Sequence, residues 1–453
     1  MKVKRLILSF VIGILFAFIL IYSFELNINK YCIEYTIEYL QHGNNQIFYS
    51  DKPEHFNEEN AFLYDISAKK PITITEEINN NNTFLRIDLG YNDNTVQISD
   101  LNISRYNIKE NITNKSIIQE NGIQGIKYDE GIYSIAVEGT DPYIILDLSH
   151  LIDKTDDNIR QLQIIKNAAS WIAALFLMII VYIKYKFFWR TFCWILDIIR
   201  EWRLILNLAG NDFKMKYAAS YFGAVWAFIQ PMITVIIYVI IFGVGFRSLP
   251  VEGVSYALWL TVGIIPWFFF SEALSSATNS LVEYNYLVKK VVFKIEVLPI
   301  VKIVSSIIVH MFFLIIAIIM QLIYGIPLTI YLCQFIYYTF CVIILAWGIA
   351  NITSAITVFF KDMNYIINII LQLGMWATPI MYNITIFGKT GEKILKLNPM
   401  CYIVEGYRDA FFQHIWFWEK PQMMLYFWSV TGIILLLGII VFSSLKKHFA
   451  DVL

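Results

Sequence analysis

Apolar runs recur along this chain at a length suited to crossing a bilayer. They cover about Leu6–Phe24, Ala168–Ile183, Ala218–Phe242, Leu258–Ala277, Pro299–Tyr324, Gln334–Phe360, Tyr365–Tyr382 and Met424–Leu445. A spanning helix needs ~20 predominantly apolar residues, so the pattern predicts eight spans. The last six form one block, and the first two stand apart as a hairpin. Between those two the period changes. Residues 96–103 alternate strictly, Val-Gln-Ile-Ser-Asp-Leu-Asn-Ile, which is the pattern of a half-buried strand. Strand-like runs are expected at Pro71–Ile78, Phe84–Asp88, Thr95–Ser104, Gly131–Val137 and Tyr143–Leu148. Turn-rich stretches at Gly90–Asn94 and Gly139–Pro142 separate some of them, and a helical stretch is expected at Ile33–His42. Strands of this number and spacing predict a β-sandwich of jelly-roll type.

Basic flanks orient the spans. Lys2, Lys4 and Arg5 precede the first, and Lys184, Lys186 and Arg190 follow the second. Lys289, Lys290 and Lys294 lie between the fourth and fifth, Lys361 between the sixth and seventh, and Lys446 and Lys447 after the last. With eight alternating spans all of these fall on one side, which places both termini in the cytoplasm and residues 25–163 outside it. A secretory signal peptide is the other reading of the first run. The run is long, and Phe24-Glu25-Leu26-Asn27 offers no small-residue cleavage site. The expected organisation is a first span (1–24), an extracytoplasmic sandwich (25–163), a second span (164–190), an amphipathic interface helix (191–217) and a six-span domain (218–453). The fold class is an α-helical polytopic membrane protein with an extracytoplasmic β-sandwich.

Composition supports this division. Hydrophobic residues make up 57% of the chain and charged residues 16%, well outside the balance of a soluble domain. Residues 25–163 carry 11 Lys and Arg against 23 Asp and Glu, while the remainder carries 24 against 13. The near-zero total therefore combines an acidic segment of net −12 with a basic one of net +11. The basic excess follows ordinary membrane topology, and nothing in it points to nucleic acid. Of the five cysteines only Cys32 falls in the acidic segment, so no disulfide framework is expected there. No metal-ligand spacing, catalytic constellation or cofactor motif is present. Gly388-Lys389-Thr390 looks like the end of a P-loop, but Asn383 stands where its first glycine is required. Any ATP hydrolysis is thus expected in a separate subunit.

Ahead of the six-span block, Leu204–Pro231 mixes Asn211, Asp212, Phe213, Lys214 and Lys216 with apolar neighbours and runs into the third span. Such a segment suits a helix lying at the membrane surface, with its Lys stems snorkelling. Between the fourth and fifth spans, Asn279–Val297 is too polar to span. It carries Glu283, Tyr284, Asn285, Leu287, Lys289 and Lys290 on the cytoplasmic side, and a short helix there, with Tyr284, Tyr286 and Leu287 as its apolar contacts, suits docking onto a partner. Asn398–Gln413 is apolar but short, and reads as a re-entrant helix with Glu405 and Arg408 paired at i,i+3. Glu405, Tyr407 and Arg408 are outer-gate candidates, with a structural ion pair as the plainer account. Trp226, Trp267, Phe268, Glu272 and Trp376 are channel candidates, since sugar rings stack on aromatic faces and intramembrane carboxylates turn toward cavities. His310 reads as a neutral histidine satisfied by a neighbouring helix.

Five pieces, in order, carry a resemblance: NDFKMKYAASYFGAVWAFIQP (211–231), GIIPWFFFSEALSSATNSLVEYNYLVKKVVFKIEVLP (263–299), FFKDMNYIINIILQLGMWATPIMY (359–382), NPMCYIVEGYRDAFF (398–412) and the terminal HFADVL. Together they resemble the permease subunit of ABC exporters of O-antigen, capsule and teichoic acid. The resemblance implies a homodimer over two ATP-binding cassette subunits, with no nucleotide site or enzyme activity of its own. It implies transport of a lipid-linked polysaccharide or polyol phosphate polymer across a bacterial cytoplasmic membrane, and it makes the 279–297 loop the coupling helix. Export of another amphiphile, such as a drug or lipid, and a non-transporting glycan-assembly scaffold are the alternatives. The first ~190 residues lie outside the resemblance. There, TFLRIDLGYNDNTVQISDLNIS (83–104) resembles carbohydrate-binding-like sandwich domains of bacterial surface-glycan machinery. Glycan binding, a spacer role, and docking of glycan-synthesis enzymes all fit that segment.

Overall fold

A computed structural model describes the chain except for residues 1, 25–28, 41–42, 67–68, 91–94, 107, 130, 140, 218–220, 246–252, 290–293 and 453, with only the backbone described at a few further positions. It divides into two units, Phe16–Phe176 and Met1–Leu15 with Leu177–Leu453. The first apolar run is helix α1 (Lys2–Ser23).

Eleven strands follow among the described residues: β1 (Lys30–Tyr39), β2 (Gly43–Ser50), β3 (Ala61–Ile66), β4 (Ile72–Asn79), β5 (Phe84–Asp88), β6 (Thr95–Arg105), β7 (Ile108–Asn111), β8 (Ile117–Asn121), β9 (Ile123–Asp129), β10 (Ile132–Val137) and β11 (Tyr143–Asp147). They form two antiparallel sheets. One runs β4-β1-β6-β10-β9, with β7 also on β6, and the other runs β3-β2-β5-β11-β8. Inward residues of both sheets, among them Ile33, Ile87, Ile98 and Leu146, share one buried cluster, so the unit is a sandwich. The helix expected at Ile33–His42 is instead β1. Its YCIEYTIEY has period two: Tyr31, Ile33, Tyr35, Ile37 and Tyr39 are all buried, while Glu34, Thr36 and Glu38 stand on the opposite face.

The sandwich leads into α2 (Ser149–Ile183), whose polar first turns pack on it through Ile152. Buried Arg105 of β6 pairs with Asp156 of α2 and donates to Asn80, so one guanidinium ties this helix to the sheet. Taking the buried cation out of water lowers the Arg105 pKa.

The helical unit continues with α3 (Tyr185–Arg200), α4 (Trp202–Tyr217), α5 (Trp226–Tyr238), α6 (Tyr256–Thr278), the short α7 (Ser280–Glu283) and α8 (Asn285–Val288), and α9 (Leu298–Ile323). It ends with α10 (Gln334–Thr357), α11 (Met363–Ala377), α12 (Gly388–Leu395), α13 (Pro399–Arg408), α14 (Pro421–Leu445) and α15 (Phe449–Val452). The surface segment expected as one helix over 191–217 is two, broken at Glu201. It does not run straight into the next span either, because a single 3₁₀ turn at Gly223–Val225 precedes α5. Five helical stretches, Ser149–Ile183, Tyr256–Thr278, Ile295–Ile323, Ile330–Thr357 and Pro421–His448, are long and apolar enough to cross a membrane. Shorter apolar helices, Ser9–Ser23, Trp226–Phe242 and Met363–Ala377, overlap the other three expected spans but are shorter than those five, so among the described residues five of the eight expected spans are helices of full crossing length. The centre of the unit is α6, which packs on α9, α10 and α13, while α10 packs on α14.

Candidate functional site

Where α6 ends and α9 begins, three separate segments meet on one ammonium. Lys302 lies one turn into α9 and is buried. Its Nζ donates to Oδ1 of Asp212 on α4 at 2.6 Å, and also to Glu283 at the end of α7. The hydroxyl of buried Tyr284 donates to the same Asp212 oxygen at 2.8 Å, and the Lys302 ammonium lies 5.0 Å from the Tyr284 ring centre. Burial, reinforced by the Asp212 carboxylate, drives the Tyr284 pKa upward, so the phenol stays a proton donor. Removing one partner of such a buried pair typically costs ~3–5 kcal/mol, because the other charge is left in low dielectric without compensation. Two further ion pairs bind this end: Lys294 to Glu201 at 2.7 Å and Lys446 to Glu296 at 2.5 Å.

The loop held by this node has two faces. Leu281, Tyr284 and Val288 are buried in a cluster with Leu298, Phe442 and Phe449, and half-buried Leu287 packs against it. Asn285, Tyr286 and Lys289 point outward and are exposed. The expectation that Tyr284 docks onto a partner is therefore corrected: its ring is in the core and its hydroxyl is occupied by Asp212. Lys290 lies outside the described residues. On α4, Asp212 is buried, Phe213 half-buried, and Asn211 and Lys214 exposed.

Of the channel candidates, Trp226, Phe268 and Glu272 line one cavity of about 320 Å³ between α5, α6 and α9, together with Gln230, Ser306 and His310. Lys216 pairs with Glu272 at this cavity, and Ser276 donates to the same carboxylate at 3.1 Å. The His310 Nε2 lies 3.1 Å from both the Thr339 and Tyr407 hydroxyls, and its ring stacks on Phe269 at 4.5 Å. Trp267 and Trp376 are not among the residues lining this cavity. Trp267 is buried against α11, where a Cβ on Gly374 would come within 2.8 Å of its ring, and Trp376 is exposed.

The pair expected at i,i+3 is present: Arg408 Nη1 donates to Glu405 at 3.0 Å. Arg408 is 2% exposed, far more buried than an ion pair alone requires. Its two Nη groups also donate to the carbonyls of Pro379 and Ile380 at 2.8 Å, and its guanidinium lies 3.4 Å over the Trp259 ring. These carbonyls lie beyond the end of α11, where the chain has no helical partner to offer them. Tyr407 is fully buried, with its hydroxyl 2.9 Å from Thr339.

These helices were compared with known proteins. Residues 203–412 match the model of the ABC-2 type transporter family. This part of the chain is an ABC-2 type transporter membrane domain. Among the relatives is the O-antigen export system permease protein RfbA of Myxococcus xanthus, 27% identical over 251 residues, which are 55% of this chain and 94% of the relative. Two permease proteins of the same name from Klebsiella pneumoniae are each 28% identical, over 255 and 264 residues, 55% of this chain and 95% of the relative.

The ABC-2 type domain contains the whole buried node and the Arg408 cluster. The match over residues 203–412 makes this part of the chain a transporter membrane domain, of a family that implies an ATP-binding partner and a multi-pass place in the bacterial inner membrane. Two of its most connected residues were not singled out from sequence, Lys302 and Trp259. Lys302 did carry a signal, as a lone cation one turn inside a 26-residue apolar helix. Trp259 carried none, because its partner Arg408 is supplied by a helix remote in sequence.

Proposed function

We propose that this chain is the membrane subunit of an ATP-driven exporter of a lipid-linked polysaccharide or polyol phosphate polymer. Two copies enclose one passage above two ATP-binding cassette subunits. Both termini are cytoplasmic, and residues 25–163 are extracytoplasmic. The relatives' names support the polysaccharide class. The observation that carries the mechanism is the node at Lys302. It ties the exposed face of Asn285, Tyr286 and Lys289 to α4 and α9, so a push on that face reaches the walls of the Glu272 cavity through buried, hydrogen-bonded side chains rather than through a loose loop. A displacement is transmitted only as far as packed contacts are stiff.

The test is deletion of the gene in its host, scoring surface glycan and its lipid-linked precursor. Loss of the surface polymer, with the lipid-linked form accumulating inside, is the expected result. An unchanged surface glycan with altered sensitivity to an amphiphile would overturn the polymer reading, and loss of the surface polymer without accumulation of its lipid-linked form would favour an assembly scaffold.

A further inference from the structure

The sandwich contains a notch in its larger sheet. Strand β6 pairs with β1 along one edge. On its other edge it pairs with β10 up to Ser99 and with β7 from Asn102 onward. The hand-over leaves Asp100 and Leu101 without a strand beside them, at the point where the pairing with β1 slips by one residue. Local contacts satisfy the backbone there: the Leu101 carbonyl accepts from Ile112 N–H at 2.9 Å and the Asp100 carbonyl from the Asn102 side chain at 2.6 Å. Bulges of this kind re-aim a side chain.

At the notch lies a cavity of about 380 Å³. Buried Leu101, Ile112 and Tyr133 form its floor, with Tyr133 held by its hydroxyl on the Ile112 carbonyl at 2.8 Å. Exposed Asp100, Asn111 and Tyr128 form its rim, and the Tyr128 ring lies 4.8 Å from that of Tyr133. Asp100 has φ 55°, a left-handed conformation that glycine adopts most easily and that aspartate and asparagine tolerate better than other residues.

We infer that this notch binds a neutral pyranose, with the sugar's C–H face on Tyr128 and its hydroxyls on the Asp100 carboxylate and the Asn111 carboxamide. The lining decides the ligand class. Among the described residues it holds one carboxylate and no cation, so an anionic sugar meets repulsion with nothing to offset it. Nearby Lys109 is taken up by Glu34 at 2.6 Å. No group of three His, Cys, Asp or Glu side chains among the described residues fits a metal ion, and one carboxylate is too few for Ca²⁺. The volume is at the small end of ligand pockets, suited to one or two rings. This site stands on its own geometry. Linking it to the exported polymer rests on the proposed export function.

The test is saturation-transfer NMR on the full chain in lipid nanodiscs, using methyl glycosides of neutral hexoses and of glucuronic acid as probes. The expected result is binding of at least one neutral glycoside with a Kd on the order of 1 mM. Affinity should fall roughly tenfold or more in Tyr128→Ala and in Asp100→Gly. The glycine variant is the stricter control, since it relieves the backbone while removing the carboxylate, so its melting temperature should not fall. The inference is overturned if no neutral glycoside binds, if only the glucuronide binds, or if both variants bind as the parent does. Because no ATPase is involved, a failure here leaves the export test standing, and a failure of export leaves this binding measurable.

Discussion

The Lys302 ammonium sits 2.6 Å from a carboxylate oxygen of Asp212, and neither side chain is more than 10% exposed. The two residues are 90 positions apart, on α9 and α4, so the pair fixes how the surface helix meets the bundle. Glu283, the third member, is half exposed. The energies should divide accordingly. Lys302→Met strands the Asp212 carboxylate and should destabilise the unit by ~3–5 kcal/mol, whereas Glu283→Gln should cost no more than about 1 kcal/mol. Replacing both Lys302 and Asp212 by leucine, together with Tyr284→Phe so that the hydroxyl bonded to Asp212 is not left unpaired, should recover much of the loss, because an apolar cluster of similar size needs no compensation. Thermal unfolding of the detergent-solubilised chain, followed by tryptophan fluorescence, ranks the four proteins. A single Lys302→Met variant melting with the parent would show the pair to be idle.

Gly263 of α6 faces Arg408, and a Cβ there would lie 2.6 Å from the guanidinium. The arginine has nowhere to retreat, since Trp259 covers its face and the Pro379 and Ile380 carbonyls fix its Nη groups. Gly263→Ala should therefore displace Arg408 and leave buried carbonyls unsatisfied, costing about 1–3 kcal/mol for each. The same change at Gly432, where a Cβ would meet no atom within 4 Å, should be tolerated. Equal melting temperatures for the two alanine variants would argue against the packing described.

What the sequence showed and what it hid divide along physical lines. Strands β4, β5, β10 and the first half of β6 were legible because one face of each is buried and the other more open, which writes period two into the chain; β11 was legible as a short apolar run, its three central residues all being buried. Strands β8 and β9 are exposed at nearly every position and leave no alternation to read. The Glu405–Arg408 pair was legible because a helix brings i and i+3 together. The Lys302–Asp212 and Arg408–Trp259 contacts depend on which helices pack side by side, and local spacing carries no record of that.

On the exposed face of α8, Asn285, Tyr286 and Lys289 contribute little to the core. Surface substitutions of this sort usually change stability by no more than about 0.5 kcal/mol. Tyr286→Asp with Lys289→Glu should leave folding intact and lower transport-coupled ATP turnover in the complex with the ATPase. Leu287→Asp should do both kinds of damage, since its side chain packs on the Phe442 and Phe449 cluster. Melting temperature and ATPase rate, measured on the same preparations, separate the two effects. Full turnover in the double variant would exclude this face as the ATPase contact.

Lys216 and Glu272 pair between two cavities. Both line the cavity of about 320 Å³ that holds Trp226 and Phe268. Lys216 also lines a second cavity, of about 380 Å³, with Asp212, Glu283 and Tyr284. Each side chain is about two-fifths exposed, so the pair itself is worth at most about 1 kcal/mol and is not needed for folding. Its position between the node and the aromatic cavity suits a different use under the proposed transport cycle, as a contact that parts and re-forms if α4 moves against α6. Lys216→Glu places two carboxylates together, which near a protein surface repel by up to ~4 kcal/mol before screening. A transport loss of roughly tenfold needs only ~1.4 kcal/mol of that at the rate-limiting step. Adding Glu272→Lys restores opposite charges in reversed order and should recover most of the export, measured as polymer reaching the cell surface per unit of protein in the membrane. Export at the parental rate in Lys216→Glu alone would show that the pair takes no part in the cycle. A loss that the reversed pair does not rescue would assign the effect to one of the two side chains rather than to their contact.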